Sequence, residues 1–326
     1  MNVLVTGGLG LIGHNIVRKL EAQGHTVVVY DNMTNYGIIP RAELDHLMIE
    51  RKKLIATPNI FNMDILQGSM FDWLLPKFEI EAIIHLASFP RQKVVNADPC
   101  WGSTVMSTGL LMLLEKAVQH KVKRFTYASS SMVYGDFENF VNEDAVCRPQ
   151  GQYGILKLAG EWLVKDYTRK HGIEHTILRP SAVYGPLDVE DRVISKFLLT
   201  AMRGETLKVN GPNETLDFTY VDDAAEGFVA ATLSNRAANN TYNITKSHSK
   251  TLLSAAELAV KLAGRGNIEV RGKDADFPSR GALDITKAKN DFGFDPKVDV
   301  DQGFQIYYDW LKNDSYFGID NSQRIS

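Results

Sequence analysis

The chain has 326 residues, 44% of them hydrophobic, enough for one large α/β unit with a smaller lobe around an ordinary packed core. With 36 basic against 39 acidic residues the formal charge is −3, so there is no excess positive field to hold a polyphosphate backbone, and nucleic acid is excluded as a partner. Cys100 and Cys147 lack metal-ligand spacing or a nearby histidine pair, so no metal site or disulfide framework is expected, only buried reduced thiols. Met1 runs straight into an apolar strand, and no run of about 18 apolar residues occurs. The expectation is a cytoplasmic protein that makes no use of a membrane.

In chain order, short runs rich in Val, Ile and Tyr predict strands: "VLVTG" from 3, "TVVVYD" from 26, "EAIIHLAS" from 81, "RFTYASS" from 124 and "HTILRP" from 175. Helical patterns lie between them, at 13–24, at about 99–120 and at 153–172, each closing near a glycine or a basic residue. The cluster "ERKKL" (50–54) reads as a solvated helix face. Alternation of this kind predicts βαβ units, and hence a Rossmann-like, doubly wound parallel sheet covered by helices on both faces. After about residue 180 the texture shifts to loops such as "GPLDVED" and "NGPNET", with further helices near 192–203 and at 252–264. The predicted plan is a nucleotide-binding Rossmann domain over 1–180 and a smaller α/β substrate lobe over 181–326. The chain is expected to cross between them, and the cleft is the default ligand site.

"VTGGLGLIGHNIV" sets Gly7, Gly10 and Gly13 three apart, directly after a strand and opening a helix. Glycine there lets the chain turn sharply, lets a pyrophosphate approach the main chain, and lets the helix pack close to the sheet. Asp31 follows Gly13 by 18 residues, at the end of "VVVYD". A carboxylate at that place accepts ribose hydroxyls and repels a 2′-phosphate, so the cofactor expected is NAD rather than NADP. Asp64, in "NMDI", is a candidate for the adenine edge, with a plain turn carboxylate as the alternative on spacing.

"GQYGILKLAGEW" (151–162) places Tyr153 and Lys157 four apart on a predicted helix, with Cβ atoms about 5–6 Å from each other. A held ammonium, together with a nicotinamide cation, favours the phenolate by about three pKa units, or about 4 kcal/mol, which makes a usable base near neutrality. "ASSSMVYG" (128–135) ends a predicted strand, where a hydroxyl can face a substrate oxygen opposite the tyrosine.

Together with "HLAS" (85–88), "RPSAVYGP" (179–186), "DFTYVDDAA" (217–225) and "LDITKAKNDFGFDP" (283–296), these motifs resemble the extended short-chain dehydrogenase/reductase family, in its nucleotide-sugar epimerase/dehydratase group. The resemblance covers essentially the whole chain. It implies a catalytic triad of Ser130, Tyr153 and Lys157, with Ser131 the near competitor of Ser130. It implies an NAD site from Gly7, Gly10, Leu11, Ile12, Asp31, Asn32, Asp64, Ile65, Leu86, Ala87, Ser88, Tyr153 and Lys157. For the substrate, a nucleotide-diphosphate sugar, it implies Ser130, Ser131, Lys93, Ala182, Lys208 and Arg280, with Arg203 a further candidate. His85 is expected to be structural.

Family dehydratases carry an Asp-Glu pair where this chain has Ser131 and Met132, and family decarboxylases carry a glutamate at the position of Met132. A thioether transfers no proton. The reading that remains is an NAD-dependent epimerase, acting at C4 by transient oxidation and return of the hydride to the other face. A net oxidoreductase or dehydratase and a non-catalytic dinucleotide sensor are the alternatives. The chain departs from the family pattern at Ala182, where an asparagine is usual, and at Leu216, where an arginine is usual. The acidic loop "YGPLDVEDRV" argues against a sugar carboxylate, although Arg192 stands in it. Family members pair through two helices per subunit, here near 103–120 and 153–170, so a homodimer with a four-helix interface is expected.

Overall fold

The structure is a computed structural model describing residues 1–34, 36–274 and 277–318. Strands β1 (Asn2–Thr6), β2 (Thr26–Asp31), β3 (Ile60–Asn62), β4 (Ala82–His85), β5 (Arg124–Ala128) and β6 (Glu174–Pro180) come from the first 180 residues of the chain. The second half adds β7 (Val183–Tyr184), β8 (Thr206–Asn210), β9 (Thr215–Asp217), β10 (Thr219–Tyr220), β11 (Asn240–Ile244), β12 (Ser249–Thr251) and β13 (Asn267–Arg271). Seven of them form one parallel sheet in the order β11-β6-β5-β4-β1-β2-β3. The order reverses between β1 and β4, and in such sheets ligands bind beyond the carboxyl ends of the strands at that point.

The sheet is buried on both faces, which is why its strands read as continuous β-branched and aromatic runs rather than as alternating ones. One face is covered by α3 (Gly68–Lys77), α6 (Leu110–Gln119) and α7 (Gly151–His171). The other is covered by α1 (Leu11–Ala22), α9 (Val221–Leu233) and α11 (Thr286–Phe292). Thus β11 and α9, both from the second half, complete the main sheet and its cover. The expected helix near 99–120 is α5 (Pro99–Ser103), a π-helical stretch Thr104–Gly109, and α6; α4 (Gln92–Ala97) precedes it.

The smaller lobe packs α8 (Val193–Met202), α10 (Leu252–Ala263) and α12 (Val300–Asn313) over β8 and β13. Its apolar core is shared with α2 (Arg41–Lys53), whose Leu44 and Leu47 pack with Tyr184, Leu187 and Ile194. The expected solvated face at 50–54 is corrected here: Lys52 and Lys53 are exposed, but Arg51 is 4% exposed because α2 lies between the two lobes. Cys147 is half-buried, whereas Cys100 is exposed, contrary to the expectation of two buried thiols, and both are free. No described helix is long and apolar enough to cross a membrane. Among the described residues no cluster of three or more His, Cys, Asp or Glu side chains could hold a metal ion.

Candidate active site

In-register pairing of Thr6 with His85, and of His85 with Tyr127, aligns the carboxyl ends of the central strands. The glycine turn, residues 86–88, residues 129–131 and residues 180–182 therefore share one rim. That rim opens onto a cavity of about 490 Å³.

At the first corner Gly7 has φ +70°, and a Cβ on it would stand 2.8 Å from the Ala87 backbone nitrogen. Gly10 is the N-cap of α1, and a Cβ on Gly13 would meet the Gly7 carbonyl oxygen at 2.2 Å. The turn is thus closed against both β4 and its own helix, and the α1 N-terminus faces the cavity with partial positive charge. Asp31 accepts from the backbone N–H groups of Leu9 (2.9 Å) and Met33 (2.7 Å). Burial pushes its carboxyl up, and those two hydrogen bonds and the charges of Arg51 and Lys52 push it back down.

Tyr153 lies in the first turn of α7, where Gln92 Oε1 accepts from its backbone N–H at 3.0 Å. Burial raises its phenol above the usual 10; the Ser130 hydroxyl, within hydrogen-bonding reach, and the charges of Arg192 and Arg280 lower it. Lys157 donates to the Ala128 carbonyl at 2.8 Å and stands 5.8 Å from the centre of the Tyr153 ring. Burial pushes its ammonium down to about 7, against the opposing charge of Glu161. In the protein alone, then, burial keeps the phenol protonated and makes the lysine easy to deprotonate. The cations that lower the phenol are Arg192 and Arg280 rather than the neighbouring lysine.

Ser130 caps the 3-10 turn Ser131–Val133, accepting from the Met132 N–H at 3.2 Å. Ser131 donates to the Ser181 hydroxyl at 3.1 Å, so it serves the neighbouring strand end. Behind the serines a buried network fixes the wall: Ser129 donates to Glu161 (2.5 Å), and Glu161 takes a bidentate pair from Arg179 (2.8 and 2.7 Å). The desolvation cost of such a pair is offset only where further hydrogen bonds reach it, and here Arg179 also donates to the Tyr134 hydroxyl while Glu161 accepts from Ser129. His85 bonds Thr6 Oγ1 at 2.7 Å, and burial pushes it down to about 3, so it is neutral and structural.

Of the residues expected at the site, Gly7, Gly10, Leu11, Ile12, Asp31, Asn32, Ile65, Leu86, Ala87, Ser88, Lys93, Ser130, Ser131, Tyr153, Lys157, Ala182 and Arg280 all line the cavity. Asp64 and Lys208 do not. Asp64 orders the turn behind the rim, accepting from Asn32 Nδ2 (3.0 Å) and the Leu66 N–H (2.9 Å). Lys208 is exposed on β8, where alternation points it away from the apolar core, and Arg203 pairs with Glu190.

Sequence reasoning missed Arg51 and Asp188. Glu161 had a signal, since Tyr153, Lys157 and Glu161 form a single row at four-residue spacing on α7. The buried Nε atoms of Arg51, Arg91 and Arg280 and the Oδ2 of Asp188 make no protein hydrogen bond, and all four residues line the cavity.

A family model described as the NAD dependent epimerase/dehydratase family matches residues 3–245. The chain belongs to this family. A putative UDP-glucose 4-epimerase of Methanocaldococcus jannaschii is 29% identical over 96% of the chain and 99% of its own length. A UDP-glucuronic acid decarboxylase of Arabidopsis thaliana is 31% identical over 94% and 88%. Among solved structures, a UDP-glucuronic acid 4-epimerase of Bacillus cereus, in complex with UDP-glucuronic acid and NAD, superposes with a TM-score of 0.88 at 28% identity, over 96% of this chain and 99% of that one.

The cofactor is NAD, and the rim fits it. The turn at Gly7 leaves no room for a Cβ, the helix N-terminus suits a pyrophosphate, and Asp31 presents a carboxylate where ribose hydroxyls need acceptors.

Proposed function

We propose that the protein is an NAD-dependent nucleotide-sugar 4-epimerase in which Ser130, Tyr153 and Lys157 carry the chemistry. Bound NAD supplies a reversible hydride acceptor. Tyr153 takes the proton of the sugar hydroxyl being oxidised and returns it after the ring has turned; Ser130 holds the reacting oxygen; Lys157 orients the nicotinamide ribose.

The observation that favours epimerisation over elimination or decarboxylation is the lining of the cavity. Its only carboxylates among the described residues are Asp31, engaged with Leu9 and Met33, and Asp188, whose Oδ1 accepts from the Val189 N–H while its Oδ2 has no protein partner. Met132, buried at the rim, transfers no proton at the position where the family resemblance implies a glutamate in dehydratases and decarboxylases.

Arg280 and Arg192, both at the cavity and both acting on Tyr153, suit the diphosphate of a nucleotide sugar; Ser131, Lys93 and Ala182 complete its surroundings. The named relatives act on UDP-sugars, which favours uridine as the base. A homodimer fits the exposed apolar side chains of Trp101, Ile155 and Trp162, the latter two seven apart and so on one face of α7. A soluble, cytoplasmic setting fits the absence of a spanning helix among the described residues.

The experiment is to incubate the protein with UDP-glucose and NAD, follow near-ultraviolet absorbance, and identify products by proton NMR. Formation of the C4 epimer without accumulating NADH supports the reading. NADH accumulating with each turnover replaces it with a net oxidoreductase.

A further inference from the structure

We infer that Arg51 is a positioning residue that couples the dinucleotide turn to the substrate loop at 185–192. It is a buried side chain on α2 whose two terminal nitrogens go to different lobes: Nη1 donates to the Leu9 carbonyl (2.8 Å), between the turn glycines, and Nη2 donates to the Leu187 carbonyl (2.6 Å). A planar guanidinium holds both acceptors in one fixed geometry, which an ammonium on a flexible stem cannot do.

Each acceptor lies in a backbone region that needs holding. Leu9 also donates its N–H to Asp31, so the Arg51 bond reaches the carboxylate expected on the ribose through one residue. Leu187 has φ +67°, a left-handed conformation unfavourable for a leucine, and Arg51 fixes its carbonyl.

The rest of the loop is anchored to the same lobe. Glu190 N–H donates to Glu43 on α2 (2.7 Å), and Arg91 and Lys93 both pair with Asp191. The loop carries Asp188 and Arg192, which line the cavity, and Arg192 acts on Tyr153. A change at the turn on binding NAD therefore has a hydrogen-bonded route of two residues to the loop that meets the substrate. By linkage the loop's order feeds back on NAD affinity.

The test is hydrogen–deuterium exchange of the full chain with and without saturating NAD. It relies on the cofactor alone, so it stands whether or not the nucleotide-sugar reading holds. In the wild type NAD should slow exchange both at 7–13 and at 185–192, the latter by at least about fivefold. In Arg51→Lys, shown by thermal unfolding to be folded, protection at 7–13 should remain and that at 185–192 should vanish. Arg51→Gln, which keeps one carbonyl at most, should behave alike and serves if the lysine variant does not fold. No response of 185–192 in the wild type overturns the coupling. So does an equal response in the folded variant, or loss of protection at 7–13 together with 185–192.

Discussion

The cofactor rim and the substrate loop face each other across one cavity but are specified differently. The rim at Gly7, Ser130 and Tyr153 is set by short-range rules: glycines three apart, a strand end, a helical row of four. The loop at 185–192 owes its shape to groups far away in sequence, Glu43, Arg51, Arg91 and Lys93. Where structure is local, a substitution should act through chemistry or sterics at one point; where it is long-range, it should act through order and titration across the cleft.

The sharpest way to break this contrast is at the rim. Tyr153→Phe should lower turnover by about 10²–10⁴-fold and leave the fold unchanged, measured as kcat beside a denaturation midpoint. Retained turnover would remove the rim's chemical role. Gly13→Ala forces a Cβ onto the Gly7 carbonyl oxygen and should cost about 3 kcal/mol of stability together with NAD affinity, read by denaturant titration.

On the long-range side, burial raises the Glu43 carboxyl to about 7. Because the folded protein keeps a proton that the unfolded chain has released, stability should fall as pH rises from about 4.5 to about 7, by about 3 kcal/mol, and then level. Glu43→Gln should flatten that slope; an unchanged slope would assign it elsewhere. The smallest effect is expected at Ala182, which has φ +37° on the cavity wall. Asparagine tolerates that region better, so Ala182→Asn should raise stability by about 1 kcal/mol, seen as a shifted denaturant midpoint at constant slope.

The same division explains what could be read from the chain. The sheet strands, the glycine turn, Asp31, Tyr153 and Lys157 follow periodicity and spacing, Ser130 follows only from the family resemblance, and all converge on the cavity. Asp64 could be located but its contact could not, because a turn carboxylate and a ligand carboxylate share the same spacing. Lys208 looked available as a cation, yet strand alternation turns it to solvent. Arg51 sits in a run of charges that reads as a surface face; only the docking of the smaller lobe on α2 buries it. The balance at Tyr153 was also beyond reach of spacing, since Arg192 and Arg280 come from distant segments and Lys157 is drawn to the Ala128 carbonyl.

That balance is the centre of the catalytic reading. Burial alone keeps the Tyr153 phenol protonated, and NAD, when bound, would supply positive charge that lowers it towards the neutral range. The direct measurement is tyrosinate absorbance against pH, wild type minus Tyr153→Phe, with and without NAD. A phenol that ionises above pH 10 in the protein alone and about three units lower with NAD is the expected result. A phenol that stays protonated beyond pH 10 with NAD bound would contradict it.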